Sequence, residues 1–276
     1  MAFEISPLTP LFGAEIEGLD LGRPLDGETV REIRQAWLDH LVLVFHGQKL
    51  DDEQLLAFAG QFGPIGGSKR YPTTMVISNV IEDGKPIGVL GNGEAAWHVD
   101  LSFQEKPPMW TVLHGQEVPP KGGDTWFTDM YAAYDTLPGD LKGAADRHGC
   151  KHDGTYNSAG ELRGGYEDVS DVTEAPGATH SLVCRHPEIG RSFLYLGRRR
   201  NAYVEGLDVE ESETLLDRLW SHACGREDAI YRHKWRAGDV VMWDNQGTMH
   251  RRDSFDDAHR RVMIRTTVQS AAPITA

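Results

Sequence analysis

Two histidines and one aspartate have the types and spacing to do chemistry. His98 and Asp100 stand in the run Trp97-His98-Val99-Asp100, and His250 ends the run Gly247-Thr248-Met249-His250. Two imidazoles and a carboxylate are the ligand set of the facial triad, which holds Fe(II) and leaves coordination positions open for oxygen chemistry. Residues i and i+2 of a strand point to one face, so His98 and Asp100 would grip one ion while Val99 points away. The third ligand must then arrive from a distant strand, and His250 is the candidate. With 12 histidines in the chain, one H-x-D pair alone is a weak signal. His114, inside the apolar run Trp110-Thr111-Val112-Leu113-His114, reads instead as a core or wall histidine.

What strengthens the triad is a basic strand downstream, Arg260-Arg261-Val262-Met263-Ile264-Arg265-Thr266-Thr267-Val268. β-Branched and apolar residues dominate it, with neither Gly nor Pro. Period 2 puts Arg261, Met263 and Arg265 on one face, and arginines aimed at an interior need anionic partners. The guanidinium fork matches a carboxylate or sulfonate in bidentate geometry. Four residues of extended strand span roughly 13 Å, too far for both arginines to fork one small carboxylate. Arg260 reads as a solvated edge charge.

Taken in order, Trp97-His98-Val99-Asp100, Gly122-Gly123-Asp124-Thr125, Trp243-Asp244-Asn245, His250 and the R-R-x-M-x-R run resemble the taurine dioxygenase (TauD/TfdA) family. The likeness runs from Leu11-Phe12-Gly13-Ala14-Glu15-Ile16 to Val268. It implies a dioxygenase that uses Fe(II), 2-oxoglutarate and O2, hydroxylates a small anionic organic substrate and releases succinate and CO2. It further implies that His98, Asp100 and His250 bind the metal and that Thr125 and Arg261 hold the distal carboxylate of 2-oxoglutarate. Arg265 would meet the anionic group of the prime substrate. By the same analogy the chain would form a dimer or tetramer.

Before the metal motif the chain departs from taurine dioxygenase. Glu94, Ala95 and Ala96 replace a polar, Asn-bearing approach, and Gly63-Pro64-Ile65-Gly66-Gly67-Ser68 lacks its histidines. With Val89 and Leu90, this apolar lead-in favours a carboxylate-bearing, aryloxyalkanoate-like substrate over taurine or an alkylsulfonate, which stays the second reading. A zinc hydrolase could also use two His and an Asp, but it leaves Arg261 unexplained. A non-catalytic sensor of the same fold would be expected to lose a ligand, and none is missing.

Composition narrows the remainder. A chain of 276 residues, 39% hydrophobic, suits one large domain, 1–276. A net charge of −14 argues against nucleic acid and anionic lipid. No apolar stretch is long enough to span a membrane. Cys150, Cys184 and Cys224 are odd in number and form no C-x-x-C, and no signal sequence opens the chain, so a cytoplasmic location is expected.

The elements that must position these residues are legible in outline. Val30, Ile33 and Trp37 recur at helical spacing over 26–40, with Asp26 as cap. A buried strand follows over 41–45, then a helix from about Asp51 that stops at Gly63-Pro64. Strands are expected at 74–78, 108–118, 124–128, 193–196, 231–236, 239–243 and 260–268, and a charged helix at 208–223. Arg198-Arg199-Arg200 is either a solvated loop or part of the pocket mouth. Segments 64–96 and 153–178 are Gly-rich excursions and candidate lids. Many strands without βαβ alternation predict a mainly β fold with flanking helices, a double-stranded β-helix or jelly roll.

Overall fold

Alternation along single strands sets the architecture. In Val240–Asp244, Val240 and Met242 are buried in one apolar cluster while Val241 and Trp243 are buried in another. A strand that is apolar on both faces must be covered on both, so its sheet lies between two layers. The computed structural model, which describes residues 3–67, 73–270 and 274–275, shows this arrangement.

The larger sheet runs in the order Glu4–Pro7, Ala14–Glu17, Val42–Phe45, Val240–Asp244, Trp110–Glu117, Val262–Val268, Thr74–Ser78, Val89–Leu90, with Ile65–Gly66 also paired to Val262–Val268. The smaller one runs Ile230–His233, Thr125–Asp129, Thr248–Arg252, Ala95–His98. The cluster holding Val42, Val44, Leu113, Trp243 and Met263 from the larger sheet also holds Phe127 and Met249 from the smaller. It is therefore the core between the sheets. The opposite face of the larger sheet packs Leu43, Phe45, Trp110 and Val112 against Ile33, Trp37, Leu55 and Phe58 of two helices. The expected jelly roll with helices outside is the observed fold.

Helix starts follow the side chains that cap them. Asp26 accepts a 2.8 Å hydrogen bond from the Thr29 N–H, and the helix runs Gly27–His40. Asp51 with Gln54, and Asp208 with Glu211, form reciprocal capping boxes ahead of Asp52–Gly60 and Val209–Cys224. Among the described residues no helix is long and apolar enough to cross a membrane.

Several boundaries differ from expectation. The strand of the metal motif ends at His98, and Asp100 lies in the turn beyond it. The arginine strand begins at Val262, so Arg261 precedes it. Segment 64–96 carries more pairing than one strand, including the hairpin Ile81–Glu82 with Lys85–Pro86; residues 68–72 of it lie outside the described residues. Segment 153–178 is a long connection, with one 3₁₀ turn at Val172–Glu174. It packs inward: the Ser158 carbonyl accepts from Ala96 N–H at 3.0 Å, beside the metal motif.

Candidate active site and metal centre

Strand pairing brings the triad together. His250 is in register with His98 across the edge of the smaller sheet and with Phe127 on its other side. Direct opposition explains how residues 152 positions apart put their rings 4.1 Å apart, centroid to centroid (250 − 98 = 152). Asp100 reaches the same point by a turn rather than by strand periodicity. The turn is fastened by Asn245, whose side chain accepts from Asp100 N–H at 2.9 Å and donates to Asp100 and Pro108 carbonyls at 3.0 Å each. Val99 points into the core, as expected. One donor atom from each of His98, Asp100 and His250 falls within 4.8 Å of the others, and all three residues are buried.

The protonation states suit a cation. The His98 Nδ1 sits 2.7 Å from the Ala96 carbonyl, which can only accept, so Nδ1 carries the proton and Nε2 keeps its lone pair. Burial lowers the pKa of both histidines, that of His250 well below its ordinary range with help from His98. Both rings are therefore neutral and able to serve as ligands. Burial alone would raise Asp100, but the Arg265 charge, followed by His98, outweighs it and holds the carboxyl well below the usual range. The set is two neutral donors and one anion, which fits a divalent ion of the Fe(II) kind.

The cavity around this point is lined by Ile77, Leu90, Ala95, Leu113 and Trp243 on apolar walls, and by Thr125, Ser158, Arg252, Arg261 and Arg265 beside the triad. The six candidate site residues, His98, Asp100, Thr125, His250, Arg261 and Arg265, thus line one space. Arg261 is 2% exposed, donates to the Gly123 carbonyl at 3.3 Å, and leaves its Nε without a partner. Burial, then neighbouring Arg252, lowers its pKa to about 9, with Asp124 opposing. That carboxylate is engaged elsewhere, accepting from Arg232 Nε at 2.8 Å. Gly123 adopts φ +69°, and a Cβ there would stand 3.1 Å from Arg261 Nε, so glycine is what lets the guanidinium lie against this turn.

Thr125 accepts at Oγ1 from Trp235 Nε1 at 2.9 Å. A hydroxyl whose acceptor side is occupied in this way has its own proton free to donate into the cavity. An unpaired buried cation beside a poised hydroxyl donor fits a carboxylate-bearing co-substrate.

Arg265 faces the cavity, but not as an idle cation. Its Nη1 donates to Asp100 Oδ1 at 2.7 Å. Trp243 is both pocket wall and core: it lines the cavity, is 1% exposed and sets its ring 4.9 Å from the His250 ring at a 58° tilt. His114 is buried in the large sheet, away from the cavity lining, as expected. Arg260 is an exposed charge paired with Glu117 and Glu82.

Two residues escaped the reading from sequence. Asn245 had a signal, the Trp-Asp-Asn run, but no role. Arg252 gave none, since one arginine of the pair Arg251-Arg252 looks like the other. The triple arginine divides: Arg198 is buried against the Tyr156 carbonyl at 2.9 Å, Arg199 pairs with Glu213 and Asp217 of the charged helix, and Arg200 lies over the Tyr156 ring.

Comparison with known proteins agrees with this geometry. The alpha-ketoglutarate-dependent 2,4-dichlorophenoxyacetate dioxygenase of Cupriavidus pinatubonensis is 38% identical over 99% of this chain and 100% of its own. The pentalenolactone F synthase of Streptomyces avermitilis is 36% identical over 91% of this chain and 89% of its own. Among solved structures, AAD-2 in complex with Mn(II) and N-oxalylglycine superposes with a TM-score of 0.83 at 35% identity, covering 99% of both chains. A taurine dioxygenase from Burkholderia xenovorans gives 0.79 at 32% identity, covering 99% of this chain and 91% of its own. The family described as taurine catabolism dioxygenase TauD, TfdA matches residues 4–267, and with the triad, the jelly roll and full-length relatives in agreement, the chain belongs to that family of 2-oxoglutarate-dependent dioxygenases.

Proposed function

We propose that the chain oxidises a C–H bond of a small organic acid with an apolar body, of the aryloxyalkanoate kind. The observation that carries this reading is one cavity containing the triad, an unpaired buried arginine and walls of Ile77, Leu90, Leu113 and Trp243. His98, Asp100 and His250 would hold Fe(II). When bound, the iron with 2-oxoglutarate supplies O2-dependent oxidation of a C–H bond, with succinate and CO2 released.

The protein's own residues bind, orient and exclude water. Thr125 donates its free hydroxyl proton, and Arg261 its guanidinium N–H groups, to the distal carboxylate of 2-oxoglutarate. This anchors the co-substrate at the end away from the triad. Arg265 keeps Nη1 on Asp100 while Nη2 faces the Met75 thioether at 3.7 Å, a weak acceptor that a substrate anion can replace. The apolar wall takes the substrate body and keeps bulk water from the metal. Relatives whose names state aryloxyalkanoate substrates, 2,4-dichlorophenoxyacetate and (S)-phenoxypropionate, support the class. A second reading, a sulfate ester or alkylsulfonate, draws on the sulfate ester dioxygenase of Pseudomonas putida, 30% identical over 99% of this chain. The three cysteines are free, which accords with a reducing compartment such as the cytoplasm.

The test is O2 uptake and succinate release with Fe(II) and 2-oxoglutarate, across aryloxyalkanoates, alkyl sulfate esters and alkylsulfonates. Coupled turnover is expected with the aryloxyalkanoates. Coupling with the sulfur anions alone would reverse the preference.

A further inference from the structure

Two buried arginines, not one, face the cavity without a carboxylate of their own. Arg252 is 7% exposed, and its Nε, like that of Arg261, has no partner. Its Nη2 donates to the carbonyls of Leu90, at 2.9 Å, and Gly93. Its Cζ lies 5.7 Å from the centre of the Phe255 ring, and that of Arg261 lies 5.9 Å from the same ring. Both guanidiniums therefore stand around one phenyl group.

Register fixes where Arg252 points. Thr125 is opposite Arg252 and Phe127 opposite His250 in one ladder, so Thr125, Arg252 and His250 share a sheet face. Carbonyl oxygens and a ring face soften a positive charge without neutralising it. Among the described residues lining the cavity the one carboxylate is Asp100, and Arg265 already holds it. Asp124 and Glu161 act on them from a distance, held by Arg232 and Asn157 respectively; two buried like charges with no acid in contact call for an anionic ligand.

We propose that Arg252 is a second cation for the distal carboxylate of 2-oxoglutarate, acting beside Arg261 and Thr125. The site would then discriminate against 2-oxo acids that lack this carboxylate more strongly than one arginine allows. The inference rests on the co-substrate reading above.

Calorimetry on the Mn(II)-loaded protein without O2 tests it, using 2-oxoglutarate and 2-oxopentanoate, which has the same chain length but no distal carboxylate. Arg252→Gln should weaken 2-oxoglutarate about tenfold or more, the size expected for a lost charged hydrogen bond. It should leave 2-oxopentanoate within about twofold. Arg252→Lys, which keeps the charge, should retain most of the discrimination, and Arg261→Gln serves as the control. Equal weakening of both acids in Arg252→Gln would mean a structural role and overturn the proposal. So would unchanged binding in Arg252→Gln while Arg261→Gln loses affinity, or full loss of discrimination in Arg252→Lys. If wild-type protein does not prefer 2-oxoglutarate at all, or if Arg261→Gln also changes nothing, it is the underlying co-substrate reading that fails.

Discussion

Arg265 Nη1 lies 2.7 Å from Asp100 Oδ1, so the only anion of the candidate metal triad has a built-in countercharge. Asp100 is buried, at 6% exposure, and Arg265 is partly buried, at 14%. The pair lets a carboxylate stay charged in a buried site.

Removing that countercharge should show in stability. Breaking a buried pair from one side typically costs about 3–5 kcal/mol. Arg265→Leu is expected to lower the melting temperature of the metal-free protein. Mn(II) or Fe(II) should restore more stability to the variant than it adds to wild type, because the ion replaces the lost charge. Identical metal-induced shifts in the two proteins would show that Arg265 does not balance Asp100.

Each triad residue should be indispensable to turnover and dispensable to the fold. His98→Ala, Asp100→Ala and His250→Ala are expected to reduce coupled turnover to background while circular dichroism stays native. Near-normal Fe(II) affinity in His250→Ala would mean that the third ligand lies elsewhere.

Co-substrate affinity should fall in a graded way. Arg261→Ala removes a charged donor worth about 1.5–3 kcal/mol, roughly a 10- to 150-fold loss. Thr125→Ala removes a neutral donor and should lose less. Equilibrium binding of 2-oxoglutarate under anaerobic conditions measures both, and a larger loss for Thr125→Ala would invert the assignment.

Asn245 is a prediction about shape rather than chemistry. It is fully buried and makes three hydrogen bonds to the Asp100 and Pro108 backbone. Asn245→Ala leaves those groups unsatisfied, at about 1–3 kcal/mol for each group that water cannot reach. The unfolding midpoint in urea should drop, and metal affinity should fall with it because the Asp100 turn loosens. Loss of stability with unchanged metal affinity would separate the turn from the site.

Asp239 should govern part of the acid limb of stability. Its buried carboxylate meets His46 Nδ1 at 2.5 Å and His233 Nε2 at 3.1 Å. Burial would raise its pKa, but hydrogen bonds from His233 and His46 outweigh this and place it below the ordinary 3.8. A depressed folded-state value contributes stability above the unfolded value and loses it as pH falls through the folded one. Wild type should therefore weaken steeply below about pH 4, and Asp239→Asn should flatten that slope while being less stable at neutral pH. Parallel urea midpoints between pH 6 and 3 would remove Asp239 from this role.

Local chemistry was enough to read much of the molecule from its sequence. Asp26, Asp51 and Asp208 begin helices because a short acidic side chain satisfies free N–H groups a few residues ahead, an interaction complete within one turn. His98, Asp100, His250, Thr125 and Arg261 could be proposed together because the order of residue types survives any uncertainty about strand ends, and all five line one cavity. Where a strand stops was less legible: the i, i+2 argument for Asp100 held for direction but not for conformation, since the strand ends at His98 and a turn fastened by Asn245 finishes the placement. What only the tertiary structure decided is the pairing of charges. Arg265 finds Asp100 across 165 residues, while Arg252 and Arg198 go inside as their neighbours Arg251 and Arg199 find acids near the surface. One arginine looks like the next in a sequence. Its partner, and so its role, depends on which distant backbone the folded sheets bring within hydrogen-bonding distance.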